Sequence, residues 1–345
     1  MNAPPIPKPL APDHRAGAAP LTPRNNGVGS VHPSITCVVP AYNEAEGIAR
    51  FLTELCSHLA SLTDRYDVIV VDDGSRDHTM LEAIAVSGGL PIRVIGLSRN
   101  FGKEAAISAG LDEAHGEVVV ILDADFQHPF SSIADFVRHW QQGYDMVYGV
   151  RADRRTDPVL RRHLSRLFYM ALSRGASVDI PADAGDFRLL DRKVVEALRA
   201  LPERIRFMKG LYNWVGFRSI GITFDVDERR NGKSSFNWRS LLELAITGLT
   251  SFSSFPLRLW VGVGSLISGL SILYAMFILT RTLINGTDVP GWATLVVAVT
   301  FLGGVQLFSI GILGEYVARI FNEVKRRPNY LVSERHGFSE DDPRQ

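Results

Sequence analysis

The sequence predicts an open, mostly parallel α/β sheet domain, followed by an interfacial amphipathic helix and two transmembrane helices. Three observations carry that prediction. From residue 35 onward, short runs rich in Val and Ile alternate with helical segments. The runs end in polar or glycine residues, as strands do when a ligand crevice lies beyond their carboxyl ends. Toward the C-terminus, Leu259 to Thr280 and Trp292 to Leu313 each run 22 residues without one formal charge.

The elements divide the chain into a tail (1–33), an α/β domain (34–235), an amphipathic helix (236–257), a membrane hairpin (258–318) and a C-terminal tail (319–345). The first 33 residues hold eight of the eighteen prolines and no apolar run, so they bury too little surface to offset their ordering entropy and are expected to be disordered. They also lack the apolar centre of a signal peptide. Thirty-seven basic residues balance thirty-seven acidic ones, which gives no electrostatic footprint for nucleic acid. The two cysteines, Cys37 and Cys56, have no metal-ligand spacing and read as buried thiols in a reducing compartment.

Five runs read as strands: ITCVVPAY (35–42), YDVIVVDDGS (66–75), IRVIGLS (92–98), VVVILDA (118–124) and DMVYGVR (145–151). Near-continuous apolar character marks strands covered on both faces. Helical segments lie between them, among them Glu46 to Ala60, Lys103 to Ala114 and Ser131 to Gln142. A further strand is expected around Arg218 to Asp225. In NWRSLLELAITGLTSF, the residues Trp238, Leu241, Ala245, Leu249 and Phe252 follow a helical period, as in a helix lying along a membrane interface.

Each uncharged run, as a helix, spans roughly 33 Å, close to the hydrocarbon thickness of a bilayer. Arg239 and Arg258 precede the first run, and Arg319, Lys325, Arg326 and Arg327 follow the second. The connecting loop carries only Arg281, offset by Asp288. Positive charge on both outer flanks places the α/β domain and the C-terminus in the cytoplasm.

Polar residues gather at four predicted strand ends: Asn43 and Glu44, Asp72 and Asp73, Ser98 to Asn100, and Asp123 with Asp125. Any one of these sites is explained by a helix cap. All four together favour a polar ligand. In LDADFQHP, the alternation of Asp123, Asp125 and Gln127 aims three hard oxygen donors to one side if extended geometry persists past Ala124. Such a set suits Mg2+ or Mn2+, with substrate phosphates and water completing the shell. NGKSS (231–235) imitates the end of a P-loop, but Asp227 stands where the loop requires glycine. GVGSLISG, from Gly262, lies within an apolar run with no strand before it, so it is not a dinucleotide fingerprint.

The segments VVPAYNEAEGI, VDDGSRD, LSRNFGKEAAISAGLD, LDADFQHP, GDFRLLDRKV, ERRNGKSSF and GILGEYVARIFNEVKRRPNY, in this order, resemble the family 2 glycosyltransferases of the polyprenyl-phosphate type. That group includes dolichol-phosphate mannose synthase and bactoprenol glucosyltransferase. The likeness covers residues 34 to 332, and the long proline-rich N-terminus departs from it. It implies a GT-A-like fold and transfer of a sugar, with inversion, from a nucleoside diphosphate to a membrane polyprenyl phosphate. By the same resemblance, Pro40, Tyr42, Glu44, Asp72 and Asp73 hold the base and ribose, while Asp123, Asp125 and Gln127 hold the metal against the diphosphate. Arg229 contacts the donor phosphates beside Lys233 and Ser234. Arg151 with Arg161, or Arg162 within alignment error, receives the acceptor phosphate, and Asp186 lies toward the acceptor side. The resemblance also suggests a homo-oligomer, with a tetramer among the states. Two rivals are a processive polysaccharide synthase and a non-catalytic scaffold that binds sugar nucleotides. The first usually carries a Gln-x-x-Arg-Trp segment and more spans, absent here. Against the second, every polar position of the metal motif is filled.

Overall fold

The computed structural model describes residues 23–24, 32–151, 184–203, 206–224, scattered helical positions between 264 and 284, and 291–338. Strands β1 (Ile35–Ala41), β2 (Tyr66–Asp72), β3 (Ile92–Leu97) and β4 (Val118–Ile121) alternate with helices α1 (Ile48–Leu62), α2 (Thr79–Ser87) and α3 (Lys103–Glu113). Helix α4 (Ser132–Gln141) leads to β5 (Met146–Arg151). The description resumes at Ala184 with β6 (Ala184–Asp191), followed by α5 (Arg192–Ala200), α6 (Met208–Trp214) and β7 (Ser219–Phe224). A long helix, α7 (Trp292–Lys325), and a last strand, β8 (Val332–His336), complete the described chain.

The eight strands form one mixed sheet in the order β7-β5-β6-β4-β1-β2-β3-β8. β4, β1, β2 and β3 run parallel, as their apolar runs predict. β6 is antiparallel to both β4 and β5, and β8 is antiparallel to β3. Both faces are covered. Phe51, Leu55, Ala83 and Phe136 of α1, α2 and α4 pack on one side with Cys37 and Val39. Ile107, Val194, Leu198, Met208 and Leu211 of α3, α5 and α6 pack on the other with Val38, Ile69 and Ile121. Cys37 and Cys56 are free buried thiols, and burial pushes the Cys56 thiol up to about 11.

Three features differ from the expectation. Residues 332–336, placed in a C-terminal tail by the sequence, extend the sheet along the β3 edge, where Val94 faces His336 and Leu97 faces Val332. Arg24, in the stretch expected to be disordered, is fastened to the domain, its N–H donating to the Gln141 carbonyl at 2.9 Å. The Arg24 guanidinium lies 4.7 Å from the centre of the Trp140 ring, donates to Asp191, and reaches Asp145 at 2.6 Å. Two nearly buried carboxylates need a cation, and Arg24 supplies one. Helix α7 starts at Trp292, where the second apolar run starts, but continues twelve residues past Leu313. Its Phe301–Lys325 stretch is long and apolar enough to cross a bilayer, and is unburied. The positions described between 264 and 284 are helical and mostly exposed. The predicted amphipathic helix at 236–257 lies outside the described residues.

Candidate active site

Chain order reverses around β1, with β2 and β3 on one side and β4 on the other. Such a switch point opens a crevice at the carboxyl ends of the strands. Here the opening is visible in the register. The β1–β4 ladder ends where Val38 faces Ile121, while β1 continues beside β2 until Ala41 faces Asp72. Pro40, which has no N–H to give a neighbour, therefore falls where β4 has already left the sheet.

The β1 exit is knitted to the loop after β2. Asn43, in the left-handed region at φ 56, donates its N–H to Ser75 Oγ at 2.9 Å and accepts from Arg76 N at 2.9 Å. Glu44 N donates to Thr79 Oγ1 at 2.8 Å. Tyr42 remains 40% exposed at the rim, available for a ligand to cover. Asp72 and Asp73 are buried, and burial pushes both carboxyls up. Asp72 Oδ2 accepts from Ser75 N, while its buried Oδ1 has no partner among the described residues. Asp73 accepts from Phe101 N at 2.7 Å and Gly102 N at 2.9 Å, so both its oxygens fix the loop after β3. Gly74 lies against that loop at φ +64, and a Cβ there would stand 2.4 Å from the Arg99 carbonyl carbon.

Beyond β4 the chain does not stay extended to Gln127. The strand ends at Ile121, residues 124 and 125 turn, and Phe126 adopts φ 58. Gln127 N donates to Asp125 Oδ1 at 3.1 Å, closing the turn. The alternation argued from the sequence is thus replaced by a tight loop carrying Asp123 at its base and Asp125 and Gln127 at its tip. Asp123 gains a neighbour from β6. Ile121 faces Arg188 in the antiparallel β4–β6 register, and continuing that register by two residues sets Asp123 opposite Asp186. Lys103, the first residue of α3, bridges them: its Nζ lies 2.6 Å from Asp123 Oδ1 and 2.8 Å from Asp186 Oδ2.

Burial opposes the charge of Asp123, but Lys103, with His128, more than reverses this and holds the carboxyl well below the usual range. Burial likewise opposes the ammonium of Lys103, and the two carboxylates hold it above the ordinary lysine value. His128 Nε2 is 3.7 Å from Asp123, and its ring stacks on Phe187 at 4.8 Å. Behind this group lies Arg188, fully buried, its guanidinium 3.7 Å from the centre of the Tyr212 ring and donating to the Gly185 carbonyl. Glu104 accepts from Met208 N at 3.1 Å, and burial, helped by Asp186, pushes its carboxyl up to about 7.

The structure thus joins Asp123 to Asp186 and sets Asp125 and Gln127 on the adjoining turn. Arg151 closes β5, but its side chain lies outside the described residues, as do Arg161, Arg162, Arg229, Lys233 and Ser234. Lys103, Glu104, His128 and Arg188 went unnoticed in the sequence. Lys103 follows the polar end of β3 by three residues, and His128 belongs to the same LDADFQHP motif as the carboxylates. Among the described residues no three His, Cys, Asp or Glu side chains form a metal cage. An ionised Asp123 beside Asp125 and the Gln127 amide still offers hard oxygen donors. That fits a divalent ion of the Mg2+ or Mn2+ type whose remaining ligands come from substrate phosphate and water.

Residues 36–199 match the family model described as Glycosyl transferase family 2, and residues 255–320 match the GtrB C-terminal hairpin. A glycosyltransferase of Synechocystis is 44% identical over 88% of this chain and 96% of its own. A prophage-derived bactoprenol glucosyl transferase of Shigella flexneri is 41% identical over 88% of this chain and 98% of its own. A prophage bactoprenol glucosyl transferase homolog of Escherichia coli is 39% identical over 86% and 98%. Among solved structures, a mannosyltransferase of Pyrobaculum calidifontis overlaps 91% of both chains at 17% identity and a TM-score of 0.47, a level from which nothing about chemistry follows. Identity near 40% over nearly nine tenths of the chain, together with the family model matched at residues 36–199, makes this chain a member of glycosyltransferase family 2.

Proposed function

We propose that this glycosyltransferase moves a sugar from a nucleoside diphosphate to the phosphate of a membrane polyprenol, with inversion at the anomeric carbon, at the cytoplasmic face of the membrane. The observation that carries this reading is the likeness, over 88% of the chain, to enzymes named bactoprenol glucosyl transferases. The crevice between β1 and β4 is its proposed seat, with Pro40, Tyr42, Glu44, Asp72 and Asp73 toward the base and ribose. Asp123, Asp125 and Gln127 would hold Mg2+ or Mn2+, which when bound neutralises the departing diphosphate.

A lipid phosphate is anionic at neutral pH, so its oxygen attacks the anomeric carbon without a strong general base. As that bond forms, the bond to the donor phosphate breaks and the nucleoside diphosphate leaves with the electron pair. The harder task is to bring two anions together. Arg151 and Arg161, or Arg162, neutralise the incoming phosphate, and Arg229, with Lys233 and Ser234, steadies the leaving group. Asp186 stands on the acceptor side.

The two apolar runs, 259–280 and 292–313, serve as a hairpin anchor, supported by the match to a C-terminal hairpin model over 255–320. The segment 236–257 lies along the interface, and basic flanks keep the catalytic domain and the C-terminus in the cytoplasm. The test is incubation of the purified full chain with labelled sugar nucleotides, polyprenyl phosphate and Mg2+ or Mn2+. Label in the lipid phase that disappears with a chelator is expected. Transfer untouched by chelators removes the metal from the account, long polymer points to a processive synthase, and nucleotide binding with no transfer refutes the reading.

A further inference from the structure

Asp123 and Asp186 are brought side by side by the sheet itself, and two adjacent carboxylates in a half-buried site need a cation between them. Arg188, on the same face two residues along β6, is occupied with the Tyr212 ring, Gly185 O and Met146 Sδ at 3.4 Å. Lys103 fills the need. Its Nζ lies within 2.8 Å of both Asp123 oxygens and of Asp186 Oδ2. The oxygens it covers on Asp123 are the ones proposed for the divalent ion, so ammonium and metal compete for one carboxylate. The backbone under Lys103 is fixed, because Asp73 holds Phe101 N and Gly102 N. Its side chain is 41% exposed, so the ammonium lies on the solvent side of the pair.

We propose that Lys103 is a positioning residue that makes metal loading depend on the sugar nucleotide. In the free site it holds Asp123 against Asp186, leaving a bare ion only Asp125 and Gln127. A nucleoside diphosphate brings phosphate oxygens of its own and so completes a shell that the protein alone does not offer. The inference rests on the metal reading above, and the experiment separates the two.

The experiment is titration of the detergent-purified full chain with Mn2+ alone, followed by electron paramagnetic resonance, without nucleotide and then with UDP or GDP. The wild type is expected to bind Mn2+ weakly until nucleotide is added. In Lys103→Met the affinity for bare Mn2+ rises on the order of tenfold, and the gain from nucleotide shrinks, while transfer falls. Lys103→Arg, which keeps a cation, retains the wild-type dependence on nucleotide, and so does Asp186→Asn, which leaves Lys103 on Asp123. Thermal unfolding of each variant checks the fold. Bare Mn2+ affinity that is unchanged or weaker in folded Lys103→Met overturns the inference, as does nucleotide-independent loading in the wild type. Failure of the metal reading has a different signature: Asp125→Ala would bind Mn2+ as tightly as the wild type both with and without nucleotide.

Discussion

Replacing Glu104 with Gln should stabilise the enzyme at pH 8 and do little near pH 5. Glu104 is the second residue of α3, and its carboxylate accepts from Met208 N at 3.1 Å. Burial is the chief reason its carboxyl is pushed up to about 7, and the nearby Asp186 adds to it. In the unfolded chain the same group titrates near 4.5. Between those values the unfolded state has released its proton and the folded state has not, so stability falls as pH rises. The stabilising contribution is complete below about 4.5 and lost above about 7. The gap is worth roughly 3 kcal/mol at pH 8, an upper bound because Lys103 and Lys209 relax around the charge, and under about 1 kcal/mol at pH 5. A Gln side chain keeps an acceptor for Met208 N and carries no charge. For a domain of this size, 1 kcal/mol moves the midpoint by about 2–4 °C, so Glu104→Gln should gain up to about 10 °C at pH 8. Thermal unfolding of the solubilised enzyme with chelator present, followed by tryptophan fluorescence, reads this directly. An equal shift at both pH values, or a loss at pH 8, would refute the reasoning.

Three other perturbations have defined outcomes. Asp125→Ala and Arg229→Ala should each lower transfer on the order of a hundredfold, about 3 kcal/mol of transition-state stabilisation, with the chain still folded; near-normal turnover in either variant removes that residue from the mechanism. Gly74→Ala should lower both the unfolding temperature and transfer, since the new Cβ would meet Arg99 at 2.4 Å and push on the loop that delivers Lys103. Arg335→Ala should cost about 3 kcal/mol, because it leaves Glu113, whose side chain is 5% exposed, without the guanidinium now 3.0 Å away; adding Glu113→Gln should restore part of the loss in the same unfolding assay.

What was legible in the sequence follows from which interactions are local. β1 to β5 were readable because strands buried on both faces must be apolar along their length, and Val38, Val70, Val94 and Val120 are all fully buried. β6 escaped because Asp186 and Arg188 interrupt its apolar residues; the strand tolerates Arg188 because the Tyr212 ring, from α6, and Gly185 O, in β6 itself, receive its guanidinium. β8, with the sequence VSERH, has no apolar pattern, since an edge strand is held by its backbone ladder and by pairs such as Arg335 with Glu113. The carboxylates of LDADFQHP were visible as a motif, but their geometry was not, because Phe126 at φ 58 breaks the alternation. The union of Lys103, Asp123 and Asp186 depends on residues 20 and 83 positions apart, and no local pattern encodes it.

The same long-range pairing ties the apolar end of the chain to the catalytic end. Helix α7 stops at Lys325, Arg326 turns the chain at φ 49, and six residues separate the helix from β8. Within and beside that link, Tyr330 donates to Asp112 at 2.7 Å, Leu331 O accepts from Ser98 N at 2.8 Å and Ser333 donates to Gly96 O at 2.9 Å. Ser98 begins the loop that Asp73 clamps and that ends at Lys103. The β8–β3 ladder and these contacts therefore fasten the chain returning from the helix to the strand whose exit shapes the site. In the proposed reaction the acceptor headgroup is confined to the bilayer surface, so a freely swinging domain would meet it in the wrong orientation most of the time. Fastening the returning chain to β3 removes that freedom at the cost of a short polar strand, which is why β8 belongs to the catalytic sheet and not to a tail.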